Sequence, residues 1–126
     1  MKVQLTGYTR DKAKQAVGKG WASLLDELFD VLDTMQAPPK IIQVKEKWGG
    51  LRVYDSGVYL TDTDNPDAEF ERVLRDIERR SFTICQTCGE QGVLRKGSWI
   101  RTLCDVHADG REPVETINGK IIIYDN

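Results

Sequence analysis

Four residues in the C-terminal half hold the chemistry that can be read directly. Cys85 and Cys88 form one pair separated by two residues; after fifteen intervening residues Cys104 and His107 form a second pair with the same gap. Zn²⁺ takes four sulfur or nitrogen donors in a tetrahedron, and two such pairs bring two donors to each side of one ion. The set uses all three cysteines and the only histidine. Four protein ligands close the coordination shell, so the expected cofactor is structural Zn²⁺, not a catalytic ion that keeps a position for water. Ordinary buried thiols beside a surface histidine would leave the matched spacing a coincidence. A disulfide would leave one cysteine over, and nothing in the sequence points to secretion.

The same assignment removes most catalytic chemistry. With His107 as a ligand no histidine is left for general acid or base work, and no cysteine is left as a nucleophile. The His-x-Glu and Pro-Cys-x-x-Cys signature of zinc deaminases is absent, as is a phosphate-cradling Gly-x-x-x-x-Gly-Lys loop. Lys45, Glu46, Lys47, Arg52 and Tyr54 are what remains, and alternating charges there fit the outer face of a hairpin as well as a reaction site. The expectation is a protein that is not an enzyme.

Certain elements must hold the four donors in place. Gly89 and Gly92 let the backbone curl after the first pair. Val93-Leu94-Arg95, a Lys96-Gly97 turn and Trp99 to Leu103 read as a hairpin, with Cys104 to His107 as the first turn of a helix. Knuckle, hairpin and helix start together make a treble-clef-like zinc finger over residues 81–110. Its apolar content, Val93, Leu94, Trp99, Ile100, Leu103, Val106 and Ala108, is too small to fold without a metal clip.

The preceding part, residues 20–80, reads as helix, hairpin, helix. Trp21, Leu24, Leu25, Leu28, Leu32 and Met35 make one apolar stripe, so a helix is expected from Trp21 to Met35, closed by Pro38-Pro39. Phe29 and Val31 fall off the stripe, which means burial on more than one side or an apolar spot for a partner. Ile41, Ile42 and Val44, then Leu51, Val53 and Tyr54, read as strands joined by a Gly49-Gly50 turn. A second helix is expected from Asn65-Pro66-Asp67, which can cap it, to about Arg80, with Phe70, Val73, Leu74 and Ile77 inward. Over 111–126, Val114 to Ile117 and Lys120 to Tyr124 flank Asn118-Gly119, a type I′ hairpin signal. The fold class is therefore α+β: a small single domain, residues 1–126, with two main helices and β-hairpins.

Charge bounds the partners. The 126 residues carry 18 Lys and Arg against 20 Asp and Glu, a formal net charge of -2, which argues against indiscriminate coating of nucleic acid. The balance is segregated: residues 1–20 and 40–52 are basic, residues 22–35 and 55–71 acidic. No apolar run is long enough for a membrane span and the N-terminus lacks a signal-peptide core, so a cytoplasmic location without a membrane partner is expected. Two surfaces stand out. Lys45, Lys47, Trp48, Arg52 and Tyr54 could anchor a protein partner, with Trp48 at the turn either an anchor or a core residue. Arg72, Arg75, Arg79, Arg95, Lys96 and Arg101 could contact nucleic acid, and an anionic small ligand between the basic hairpin and the helix ends is a third possibility.

The run from Gln43 to Tyr54 (Gln-Val-Lys-Glu-Lys-Trp-Gly-Gly-Leu-Arg-Val-Tyr), Gly20-Trp21 with its Leu-Leu-Asp-Glu-Leu continuation, Cys85-x-x-Cys-Gly, and Trp99-Ile-Arg-Thr-Leu-Cys-Asp-x-His resemble a family of small uncharacterised phage and prophage proteins. The resemblance spans roughly Gly20 to Asp109. It implies a phage setting, with a host or phage protein as partner and an accessory role such as inhibition of a host system, and it adds no catalytic residue.

Overall fold

The computed structural model describes residues 7–56, 68–117 and 120–121. A short helix opens the described chain: α1, Arg10–Gln15, capped by Thr9, whose hydroxyl accepts from the Lys12 amide at 3.1 Å. It has only Ala13 to bury and so no apolar stripe that periodicity could detect. Electrostatics hold it instead. The Arg10 guanidinium reaches Asp26 at 3.0 Å, Asp30 at 2.9 Å and Asp33 at 2.8 Å, and Lys14 reaches Asp26 at 3.1 Å. The basic first stretch and the acidic second stretch of the sequence are thus two sides of one seam.

A 3₁₀ turn, Lys19–Trp21, leads into α2, Ala22–Thr34, which buries Leu24, Leu25, Leu28, Phe29 and Leu32. Phe29 is therefore core, and Val31 packs partly buried against it, so burial on more than one side accounts for both. The expected cap at Asn65-Pro66-Asp67 lies outside the described residues. α3, Ala68–Ser81, buries Phe70, Leu74 and Ile77.

β1, Ile41–Lys47, pairs antiparallel with β2, Gly50–Asp55. Trp48 and Gly49 form the turn, with φ of 54° and 83°, the left-handed pair that matches strand twist in a two-residue hairpin. The turn sits one residue earlier than the Gly49-Gly50 reading. Gly50 belongs to β2, where a Cβ would collide with the Phe82 ring. Ile41, Val44, Leu51 and Val53 face the core. At the far edge of β2 the Leu51 amide donates to the buried Ser81 hydroxyl at 2.8 Å and the Val53 amide to Glu78 Oε2 at 3.1 Å. The end of α3 thereby satisfies one edge of the hairpin.

The C-terminal half adds β3, Val93–Arg95, and β4, Arg101–Leu103, antiparallel to each other. Beyond them the expected helix is a pair of turns: His107 N–H bonds Cys104 O at 3.2 Å and Arg111 N–H bonds Ala108 O at 2.9 Å. Two features stop a helix. Asp109 and Gly110 take positive φ, and the chain must return at once along β3, where Lys96 N–H bonds Glu112 O and Val114 N–H bonds Leu94 O. β5, Thr116–Ile117, and β6, Lys120–Ile121, pair as the C-terminal hairpin; Asn118-Gly119 between them lies outside the described residues.

Candidate metal centre

Two turns and one hairpin build the centre. The first turn runs Cys85 to Gly89, closed by the Gly89 amide on Cys85 O at 2.9 Å with Gly89 at φ 85°. The second is the Cys104–His107 turn. Strands β3 and β4 bring them together, and the donor atoms of Cys85, Cys88, Cys104 and His107 all lie within 4.8 Å of one another. Individual separations are 3.7 Å for Cys88 Sγ to Cys104 Sγ, 3.3 Å for Cys104 Sγ to His107 Nδ1, and 3.9 Å for Cys85 Sγ to His107 Nδ1. Donors arranged tetrahedrally at about 2.3 Å (sulfur) and about 2.0–2.1 Å (nitrogen) from one ion stand roughly 3.6–3.8 Å apart. The four residues fit a tetrahedral metal, and the sequence spacing named all of them.

The surroundings prepare the sulfurs unequally. Burial pushes the Cys85 thiol up, but backbone amides of Cys104, Cys88 and Thr87 aimed at it, with the Cys104 side chain, reverse the effect and hold it at about 6. Cys88 moves the other way: the Glu90 amide favours its thiolate, yet burial and the neighbouring Cys104 and Cys85 sulfurs outweigh it and raise the thiol. Such opposed neighbours are eased when a cation takes the protons' place.

The knuckle is set into the N-terminal core through contacts that sequence reading did not identify. Gly20 N–H bonds Gln86 O at 2.9 Å, and the Trp21 indole N–H bonds Ile84 O at 2.9 Å. A Cβ on Gly20 would collide with the Cys85 carbonyl and the Gly89 amide. Buried Gln86 and Thr102 complete the joint: the Thr102 amide donates to Gln86 Oε1 at 2.7 Å, and the Thr102 hydroxyl donates to Gly49 O at 2.6 Å. The available signal was polar residues set among the ligands, whose partners lie too far away in sequence to guess.

Arg95 is 6% exposed and is withdrawn from the basic surface the sequence suggested. Its guanidinium donates to Leu103 O at 2.9 Å, Arg111 O at 3.1 Å and Asp105 Oδ1 at 2.8 Å, which fixes the chain on either side of Cys104. As a contact for nucleic acid it is corrected to a positioning residue for the ligand loop. Arg72, Arg75 and Arg79 are exposed on α3, with Arg75 paired to Glu71 and Arg79 to Asp76. Lys96 lies 4.0 Å from Glu115, and Arg101 is half-buried on β4. Arg101 is the cross-strand partner of Arg95 and shares its face of that hairpin, where Arg95 is buried against the chain around Cys104.

The hairpin residues do converge. Register and burial put Lys45, Lys47, Arg52 and Tyr54 on the outer face of β1 and β2, with Lys45 Nζ 5.3 Å from the Tyr54 ring centre. Trp48 is 51% exposed, so it is not core, and it stacks on Trp99, 43% exposed, with centroids 5.5 Å apart and planes 11° from parallel. The Trp99 indole donates to Glu46 Oε2 at 2.7 Å. Glu46 thus points inward, opposite Leu51, and is not an outer-face charge.

No family model, curated protein or solved structure matches the chain. Among the described residues no helix is long and apolar enough to cross a membrane.

Proposed function

We propose that the chain is a zinc-stabilised module without catalytic activity of its own that binds a protein partner through the first hairpin. The Cys₃His donor set supports zinc, since three thiolates and an imidazole at tetrahedral separations suit that ion and leave no open position. The observation that carries the binding assignment is Trp48. A bulky residue at φ 54° is strained by about 1–2 kcal/mol, and stacking on Trp99 returns only about 0.5–1.5 kcal/mol. The turn would be as stable with asparagine at that position. A large aromatic kept exposed at a costly position, beside Lys45, Lys47, Arg52 and Tyr54, is what an interface anchor looks like. The resemblance to phage and prophage proteins supports a host or phage protein as partner, and inhibition of a host system as the role.

Quantitative affinity capture tests this. Trp48→Asn and Arg52→Ala are expected to keep the fold, with stability within about 1 kcal/mol of the parent for Trp48→Asn, and to lose the partner. Capture of the same proteins at the same strength by both variants contradicts the surface assignment.

A further inference from the structure

Among the described residues, the first hairpin has one edge closed and one edge with no paired strand. Leu51 and Val53 turn their amides toward Ser81 and Glu78, so their cross-strand partners Glu46 and Val44 form the pairs that do not bond across the hairpin. The Val44 and Glu46 amides and carbonyls therefore face away from β2, along the other edge of β1. Among the described residues no strand pairs there; only the start of the edge is used, where Tyr8 N–H bonds Ile41 O at 2.6 Å. Unpaired strand edges are templates for an added strand.

The side chains flanking that edge are of one sign. Lys45 and Lys47 stand on the outer face of β1, and Lys45 lies directly across from Arg52. Like charges set directly opposite are unfavourable, and β1 and β2 themselves place no carboxylate between Lys45 and Arg52. Glu78 lies near Arg52 but on the closed β2 side. Pairing of the edge with a second copy would set lysine against lysine, which discourages self-association. A segment carrying acids at alternate positions would instead place one carboxylate beside each lysine while its backbone bonds Val44 and Glu46. We infer that β1 accepts an extended acidic segment of a partner protein as a third strand, read by Lys45, Lys47 and Arg52. This rests on the interaction-module reading above and names the chemistry of the partner.

The test uses the zinc-loaded full chain and a fluorescein-labelled peptide of about ten residues alternating Glu with Val or Thr, enough to span the edge at about 3.3 Å per residue. Controls are the same peptide with Lys for Glu and a single-stranded oligothymidylate. The expected result has three parts: the Glu peptide binds in fluorescence anisotropy, more weakly at about 0.15 M salt than at low salt; Lys45→Gln with Lys47→Gln weakens it by about tenfold or more; and the Val44 and Glu46 amides of the unaltered protein become protected from hydrogen exchange. The amide readout stands even if the double variant folds poorly. No binding of the Glu peptide at low salt overturns the inference, as does binding that leaves both amides unprotected, or oligothymidylate binding at this face in its place. Loss of partner capture by Trp48→Asn combined with no peptide binding would sink this inference and leave the module reading intact.

Discussion

Gly20 shows how one residue couples the metal knuckle to the core. The amide of Gly20 and the indole of Trp21 bond the backbone on either side of Cys85, and the missing side chain is what permits that approach. Gly20→Ala is expected to destabilise the fold by about 1–3 kcal/mol through overpacking and to weaken zinc retention together with stability. Thermal unfolding with zinc readout checks it, and an unchanged midpoint contradicts the close packing. The four candidate ligands were legible in the sequence because their chemistry is carried by type and spacing. Gly20, Gln86, Thr102 and the buried role of Arg95 were not, because each is defined by a partner distant in the chain. Trp48 fits either an anchor or a core role by sequence, since an aromatic at a turn reads either way until its exposure is known.

At the scale of elements, apolar periodicity located α2, the C-terminal end of α3 and the turn of the first hairpin to within one or two residues, for the stripes are long and the turn residues distinctive. It missed α1, which is held by charge, and it extended the Cys104–His107 turn into a helix that the return along β3 forbids. The edge of β2 is a second feature made by side chains. Ser81→Ala removes the acceptor of the buried Leu51 amide and is expected to cost about 1–3 kcal/mol, measurable by denaturant unfolding; a loss below a few tenths would show that the amide finds another partner. The α1 seam carries a pH signature. Hydrogen bonds from Arg10, then Lys14, hold the Asp26 carboxyl below its ordinary 3.8. A carboxyl lowered on folding stabilises the folded state above its unfolded value and loses that contribution as pH falls through its folded value. Amides of α1 are therefore expected to exchange faster, relative to those of α2, as pH drops below about 4. Protection that stays constant down to pH about 2 contradicts the seam.

Taken whole, the molecule joins a conventional apolar core to a second cluster with little of its own to bury. Among the described residues, fourteen buried ones from α1, the 3₁₀ turn, α2, the first hairpin and α3 make the first; Cys85, Leu103 and Cys104 make the second. On the proposed zinc reading so small a cluster needs the metal, and the Gly20, Trp21 and Thr102 bonds would carry that dependence into the rest of the chain. The most direct measurement is native mass spectrometry of the gently purified chain before and after a strong chelator, with circular dichroism and thermal unfolding on the same samples. The proposed zinc dependence predicts one zinc ion per chain, its absence in Cys88→Ser, and loss of the ordered C-terminal half and a lower unfolding midpoint once the ion is gone. A folded chain that carries no zinc, or that keeps its dichroism and midpoint after confirmed zinc loss, would contradict it.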